Sequence, residues 1–312
     1  MMNLTVYPFI THKKAESFDD CQDAYEVNEE ISRYAVADGA TRSFFPKFWA
    51  ERLVKRFCER SDLFLNGENW KEWLVPIQEE WYKRVEERVK TRNQFYLTNS
   101  FNAREPAVAT FIGLEIDKVE GKWQAIIIGD SCLFHKSHSE FKSYLIERSE
   151  DFTSHPAAFA SFPERNHYDP EFVGGEIQSG DVFILATDAL AKWIVQHEES
   201  AQVEEVVDQL KQIKTDKQFY SFVDLARDHK NIRLVNDDVT LMLISVEESE
   251  PSKVKVDRQE VSSKEQVSQE DIEPRVNIFE IIFWVLLTGF FSLWSFYSFY
   301  GFLRDLILTL IQ

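Results

Sequence analysis

The sequence predicts an α+β fold on three observations. Short apolar runs, many of them β-branched, recur at residues 34–37, 125–128, 182–186 and 239–244 and read as strands. Between them lie segments whose apolar residues return at intervals of three and four, the period of a helix resting one face on a sheet. The strands and helices do not alternate strictly, which suits α+β better than a doubly wound parallel sheet.

Residues 3–10 form a first strand, and a polar segment, 11–20, leads to Asp23. Residues 24–29 and 32–37 flank a turn at Glu29 and Glu30, a hairpin that would bring Asp23 and Asp38 together. After Ser43 the period changes: Phe48, Trp49, Leu53, Val54 and Phe57 mark a helical face, with Pro46 suited to its first turn. A second helix covers 70–91, with Trp73, Ile77, Trp81 and Val85 on one side and charges on the other, so these aromatics read as core. Residues 107–116 and 123–128 pair around a turn at 118–121, and further strands follow at 133–134 and 144–146. His135 and His138 are spaced as H-x-x-H, a poor zinc signal without further ligands. Residues 151–175 read as a loop able to carry a flap over a site, and 174–181 as turns before the strand at 182–186. Helices at 189–194, 201–213 and 218–229 precede a last strand at 239–246.

The organisation expected is a globular domain over 1–246, a polar linker over 247–275 and a membrane-anchoring segment over 276–312. The chain has 312 residues and is 44% hydrophobic, enough for one large core. A formal charge of −18 argues against nucleic acid, which requires a basic face. Cys21, Cys58 and Cys132 are widely spaced and read as reduced thiols; the first residues lack the pattern of a signal peptide. The linker is rich in charge, Ser and Gln and too poor in apolar groups to order itself. Residues 281–303 carry no charge and are long enough to span a ~30 Å hydrocarbon layer; a buried or oligomerisation helix is the alternative reading. Lys253, Lys255, Arg258, Lys264 and Arg275 precede that span and Arg304 follows it, which places the domain on the cytoplasmic side of a single-pass membrane protein.

The chemistry-bearing pattern is acidic. Four of the apolar runs end or begin at carboxylates: Asp38-Gly39, Gly129-Asp130-Ser131, Thr187-Asp188, and Asn236-Asp237-Asp238. Each Asp alone reads as a turn residue capping its own backbone. Together, carboxylates gathered at one rim repel unless a positive charge sits among them. Oxygen donors with no neighbouring His or Cys suit Mg²⁺ or Mn²⁺ rather than zinc.

In order along the chain, Cys21-Gln22-Asp23-Ala24, Val36-Ala37-Asp38-Gly39, Gly129-Asp130-Ser131, Leu185-Ala186-Thr187-Asp188 and Asp237-Asp238-Val239-Thr240 resemble the motifs of the PP2C-type metal-dependent protein serine/threonine phosphatases. The resemblance covers residues 5–246. Asp38-Gly-Ala-Thr-x-Ser, Gly129-Asp-Ser-Cys-Leu-Phe134 and Thr187-Asp-Ala-Leu-Ala-x-Trp193 are similar to an atypical bacterial branch of that family. It implies a four-layer αββα sandwich of two antiparallel sheets, and two Mn²⁺ or Mg²⁺ ions activating a water for in-line attack on phosphoserine or phosphothreonine, with no covalent enzyme intermediate. Asp38, Asp188 and Asp237 would be the catalytic metal ligands, with Asp38 bridging both ions and Gly39 offering its carbonyl. Asp23 would hold that shell through water or hydrogen bonding, and Asp130 matches a position that can help bind a third ion. Asp238 would instead orient neighbouring backbone. The implied partners are a phosphorylated protein and a cognate Ser/Thr kinase.

The chain departs from the pattern where the substrate phosphate is positioned. The family's Arg five residues before the first motif's Asp falls on Phe18, the His some members carry after Asp-Gly is Ala40, and the following glycine pair is Thr41-Arg42. Without that Arg a bidentate clamp is lost, and Arg42, Lys13 or Lys14 are the cations available to replace it as phosphate-binding residue. The alternative function is therefore a catalytically weak pseudophosphatase acting as a binding or scaffold module. A hydrolase with Ser131 or Ser43 as nucleophile is disfavoured, because neither lies in G-x-S-x-G.

Overall fold

The computed structural model describes residues 2–59 and 66–248. In chain order the elements are β1 (Met2–Thr11), β2 (Asp23–Asn28), β3 (Arg33–Gly39), α1 (Pro46–Glu59), α2 (Trp70–Arg92), α3 (Phe95–Asn102), β4 (Val108–Asp117), β5 (Lys122–Ile128), β6 (Cys132–Lys136), β7 (Phe141–Tyr144), β8 (Phe159–Ala160), β9 (Glu171–Glu176), β10 (Val182–Ala186), α4 (Asp188–Glu199), α5 (Val203–Lys211), α6 (Asp216–Arg227) and β11 (Val239–Glu248). One sheet runs β1-β11-β10-β6-β7 and the other β2-β3-β4-β5-β9, with β8 beside β4. All the pairings are antiparallel.

The central strands are apolar on both faces because both faces are covered. In β3, Ala35 and Ala37 face one core while Tyr34 and Val36 face another; in β10, Val182, Ile184 and Ala186 split in the same way from Phe183 and Leu185. Tyr34, Val36, Ile112, Leu114, Phe183, Leu185, Met242 and Ile244 form the core between the sheets. The helices cover the outside, α1 and α2 on the β3-β4 side through Trp49, Leu53, Phe57, Ile77 and Trp81, and α4, α5 and α6 on the β10-β11 side through Leu190, Ile194, Val207 and Phe219. The result is the four-layer αββα sandwich, and each large apolar side chain buried in it contributes about 1.5–3 kcal/mol.

Three parts differ from the sequence-based expectation. Residues 151–175 are not a continuous loop: β8 is fully buried against β4, and β9 pairs with β5 from Glu171 to Glu176. Gly174 and Gly175 are strand residues paired with β5, and glycine is required there because a side chain at 174 would stand 2.8 Å from the Trp123 carbonyl and one at 175 would stand 3.1 Å from its indole nitrogen. Helix α3 also lies where no element was expected; its exposed Phe95 and Tyr96 give it little amphipathic signature. His135 is no metal ligand partner of His138: its ring nitrogen lies 3.0 Å from Asp181 Oδ2 and its ring stacks on Phe183. No helix among the described residues is long and apolar enough to cross a membrane. The linker beyond Glu248 and the apolar stretch 281–303 lie outside the described residues.

Candidate functional site

The inter-sheet faces of the central strands all turn polar at one rim. Counting in steps of two from the inter-sheet residues Tyr34 and Val36 reaches Asp38; the same count reaches Thr110 in β4, Thr187 just past β10, and Thr240 in β11. Asp23 and Asp38 are direct partners across the β2-β3 hairpin. The Asp23 carboxylate accepts a 2.8 Å hydrogen bond from the Thr240 hydroxyl, which ties one sheet to the other. The Thr240 amide donates to Thr187 Oγ1 at 2.9 Å, and the Thr187 amide donates to the Thr240 carbonyl at 3.2 Å. Thr110 and Ser131 share a 2.6 Å hydroxyl contact beneath Asp130.

The remaining acids arrive on turns whose geometry is specific. Asp130 follows Gly129, which has a φ of +104° and would, with a side chain, collide with Thr110. Asp188 opens α4 and accepts the Ala189 amide. Asp237 precedes β11, where the Arg227 guanidinium donates to its carbonyl oxygen. Asp238 points the other way, accepting the Lys13 amide at 3.1 Å and the Gln22 amide at 2.9 Å. It organises backbone, as its position in the pair suggested.

These carboxylates share one electrostatic field. Burial, then Asp23, Asp188, Asp130 and Asp237 in turn, raise the pKa of Asp38 well above the carboxylate range. Asp23 is raised likewise, by burial and then by Asp238 and Asp188, against the pull of the Thr240 hydroxyl. Burial and Asp188 push Asp130 up to about 7, and burial and Asp237 push Asp188 up to about 6. The expected metal residues Asp23, Asp38, Gly39, Asp130, Asp188 and Asp237 are thus assembled in one place. Among the described residues, however, no three His, Cys, Asp or Glu side chains are placed so that they could hold a metal ion, so the acids form a common field rather than a closed cage.

Gly39 is needed where two backbone segments close on it. A side chain there would stand 2.9 Å from the Gln22 carbonyl oxygen and 2.9 Å from the Pro46 backbone, neither of which can swing away. Gly39→Ala is expected to destabilise the protein by about 1–3 kcal/mol through this overpacking, measured by urea unfolding. An unchanged midpoint would show that the backbone there yields.

Arg42 is exposed, and its side chain makes no hydrogen bond or ion pair among the described residues. Phe18 is 51% exposed, with Lys47 Nζ bonded to its carbonyl at 3.2 Å. The cation that enters the site is Lys13, whose Nζ lies 3.0 Å from Asp237 Oδ1 and 3.2 Å from Thr41 Oγ1. Burial opposes its charge, but the bond to Asp237 and the field of Asp237 and Asp238 raise its pKa.

No protein-family model and no curated protein matches the sequence. Solved structures match over most of the folded part. The catalytic domain of the serine/threonine protein phosphatase PstP, in complex with 2 manganese ions, is 13% identical, with a TM-score of 0.51 over 80% of this chain and 100% of that one. PppA, a key regulatory component of the T6SS in Pseudomonas aeruginosa, is 13% identical, with a TM-score of 0.53 over 78% and 97% of the two chains. The chain has the PP2C-type phosphatase fold. A third structure, the photosystem II phosphatase PBCP, agrees, at 14% identity and a TM-score of 0.50 over 78% and 98%.

The acids share one rim of the fold, and most of the groups that support them were not read from sequence. Thr187 and Thr240 stood inside quoted motifs; a hydroxyl-bearing residue at the polar end of a fully apolar strand was the available signal. The backbone role of Asp238 was readable from its pair but its partners were not, and Arg227 had no signal, because it acts on the carbonyls of Asp237 and, more than two hundred residues away, of His12.

Proposed function

We propose that this chain is a divalent-metal-dependent phosphatase that hydrolyses phosphoserine or phosphothreonine in proteins. The observation that carries the reading is the gathering of Asp23, Asp38, Asp130, Asp188 and Asp237 at one rim of a PP2C fold, beside Lys13. Asp23, Asp38, Asp130 and Asp188, whose pKa values are raised by burial and by neighbouring carboxylates, fit a hard cation together with Asp237, and their oxygen-only chemistry suits Mn²⁺ or Mg²⁺. Asp38 with the Gly39 carbonyl, and Asp188 with Asp237, would hold two ions, and Asp130 would serve a third; water would fill the rest of their oxygen shells. Such ions, when bound, lower the pKa of a water and neutralise phosphoryl oxygens.

The chain's own residues keep those donors in place. Thr240 fixes Asp23, the Thr187–Thr240 bonds join β10 to β11 at the rim, and Asp238 pins both Lys13 and Gln22 by their amides. A phosphorylated protein, supplied by a Ser/Thr kinase, is the partner this chemistry requires. The uncharged run 281–303 supports a tether through residues 276–312, with the domain on the cytoplasmic side.

Phosphate release from a phosphothreonine peptide by the full-length protein, with and without Mn²⁺, tests the activity. Release that requires the metal is the expected result. Folded protein that releases nothing overturns it, and Mn²⁺ binding without turnover identifies a scaffold module instead.

A further inference from the structure

We propose that Lys13 is the phosphate-anchoring residue of this site, an inference that rests on the phosphatase reading above. A rim of carboxylates repels a phosphate dianion wherever no bound ion screens them, and a fixed side-chain cation offsets that repulsion. Phe18 cannot supply one, and nothing among the described residues holds the Arg42 guanidinium in place. Lys14 is turned away, its ammonium 3.1 Å from Asp228 and 3.8 Å from Asp224 on α6.

Lys13 is fixed at both ends. Its amide donates to Asp238 Oδ1 at 3.1 Å, the next amide donates to Asn236 Oδ1 at 2.7 Å, and the preceding carbonyl accepts from Arg227 Nη2 at 3.2 Å. Its side chain, 15% exposed, reaches from the end of β1 to bridge Asp237 and Thr41, one group on each of the two loops that border the acids. An ammonium carries three donors, and these two contacts use two. The third N–H has no acceptor among the described residues. A pre-placed cation with a spare donor at the mouth of an acidic site is a seat for one phosphoryl oxygen. As a point charge, Lys imposes less geometry on the phosphate than a guanidinium fork.

The test is calorimetric titration of inorganic phosphate into the full-length protein saturated with Mn²⁺, after Mn²⁺ affinity has been measured for each variant. Lys13→Met is expected to weaken phosphate binding about tenfold or more, the scale of a lost charged hydrogen bond, and to raise KM for a phosphothreonine peptide more than it lowers kcat. Lys13→Arg should restore most of the affinity, and Arg42→Ala should change it by less than about twofold, as for an exposed, unpaired charge. Thermal midpoints matching wild type show that the variants are folded. Unchanged phosphate affinity in Lys13→Met, or an equal loss in Arg42→Ala, overturns the proposal. So does tighter Mn²⁺ binding by Lys13→Met with no loss of phosphate affinity, which would make the ammonium a rival for the metal position at Asp237. Wild-type protein that binds Mn²⁺ but no phosphate removes Lys13's role alone; protein that binds neither removes the phosphatase reading with it.

Discussion

Asp38→Asn is expected to lower Mn²⁺-dependent phosphate release by about a hundredfold or more, the scale on which a single preorganised electrostatic group acts in an active site. Asp38 is the residue on which Asp23, Asp188, Asp130 and Asp237 all act, so it sits at the centre of the field rather than at its edge. Asn keeps the shape and the β3 pairing to Asp23 and Thr110 while removing the charge. The same substitution should stabilise the metal-free protein at pH 8, because a carboxylate whose ionised form is disfavoured by burial is no longer there to ionise. Initial rates at saturating Mn²⁺ and thermal unfolding in chelator separate the two effects. Activity within a few-fold of wild type would remove Asp38 from the reaction.

Metal-free protein is expected to lose stability as pH rises from about 5 to about 8, opposite to ordinary acid denaturation. Asp130 titrates at about 7 and Asp188 at about 6 in the folded state, against 3.8 for an unperturbed Asp. Between those values the native state holds protons that the unfolded chain has released. The stabilisation is complete below about 3.8 and is lost as pH rises through about 6 and about 7. Asp130 is well buried, and at ~1.4 kcal/mol per pKa unit its share amounts to a few kcal/mol at most. Asp20, Asp117 and Glu164, whose pKa values are lowered, lose their hydrogen-bonded charge only in more acid solution, so the window above pH 5 is clear of them. Mn²⁺ at a hundred times its Kd should add about 2.7 kcal/mol and flatten the slope by displacing the protons. Thermal midpoints across this range, in chelator and in Mn²⁺, provide the measurement. Midpoints in chelator that hold level or climb would show that these acids are not mutually buried.

The fold was legible in sequence where each element buries a periodic face. Helix α2 and the strands β3, β5, β10 and β11 were visible because apolar residues recur at the spacing each element uses. The hairpin bringing Asp23 to Asp38 followed from two strands and a two-residue acidic turn. Strand β9 was missed because its two glycines, placed there by the bulk of Trp123, carry the same letters as a turn. Helix α3 was missed because Phe95 and Tyr96 face outward. At the site, the acids were readable from their place at strand ends. Lys13 was one of three candidate cations, and the contacts of its ammonium with Asp237 and Thr41 mark it as the one directed toward the acids.

The pairing of β1 with β11 joins the first strand of the domain to its last, from Met2 opposite Glu248 to Thr11 opposite Val239. Lys13, just past β1, and Asp237, just before β11, meet at the same end of that pair but come from opposite ends of the domain's synthesis. A nascent chain still missing β11 therefore has neither the lysine's partner nor the threonine that steadies Asp23. The acids come together only once translation has passed the end of the domain, so the site is the last part of the domain to be assembled on the ribosome.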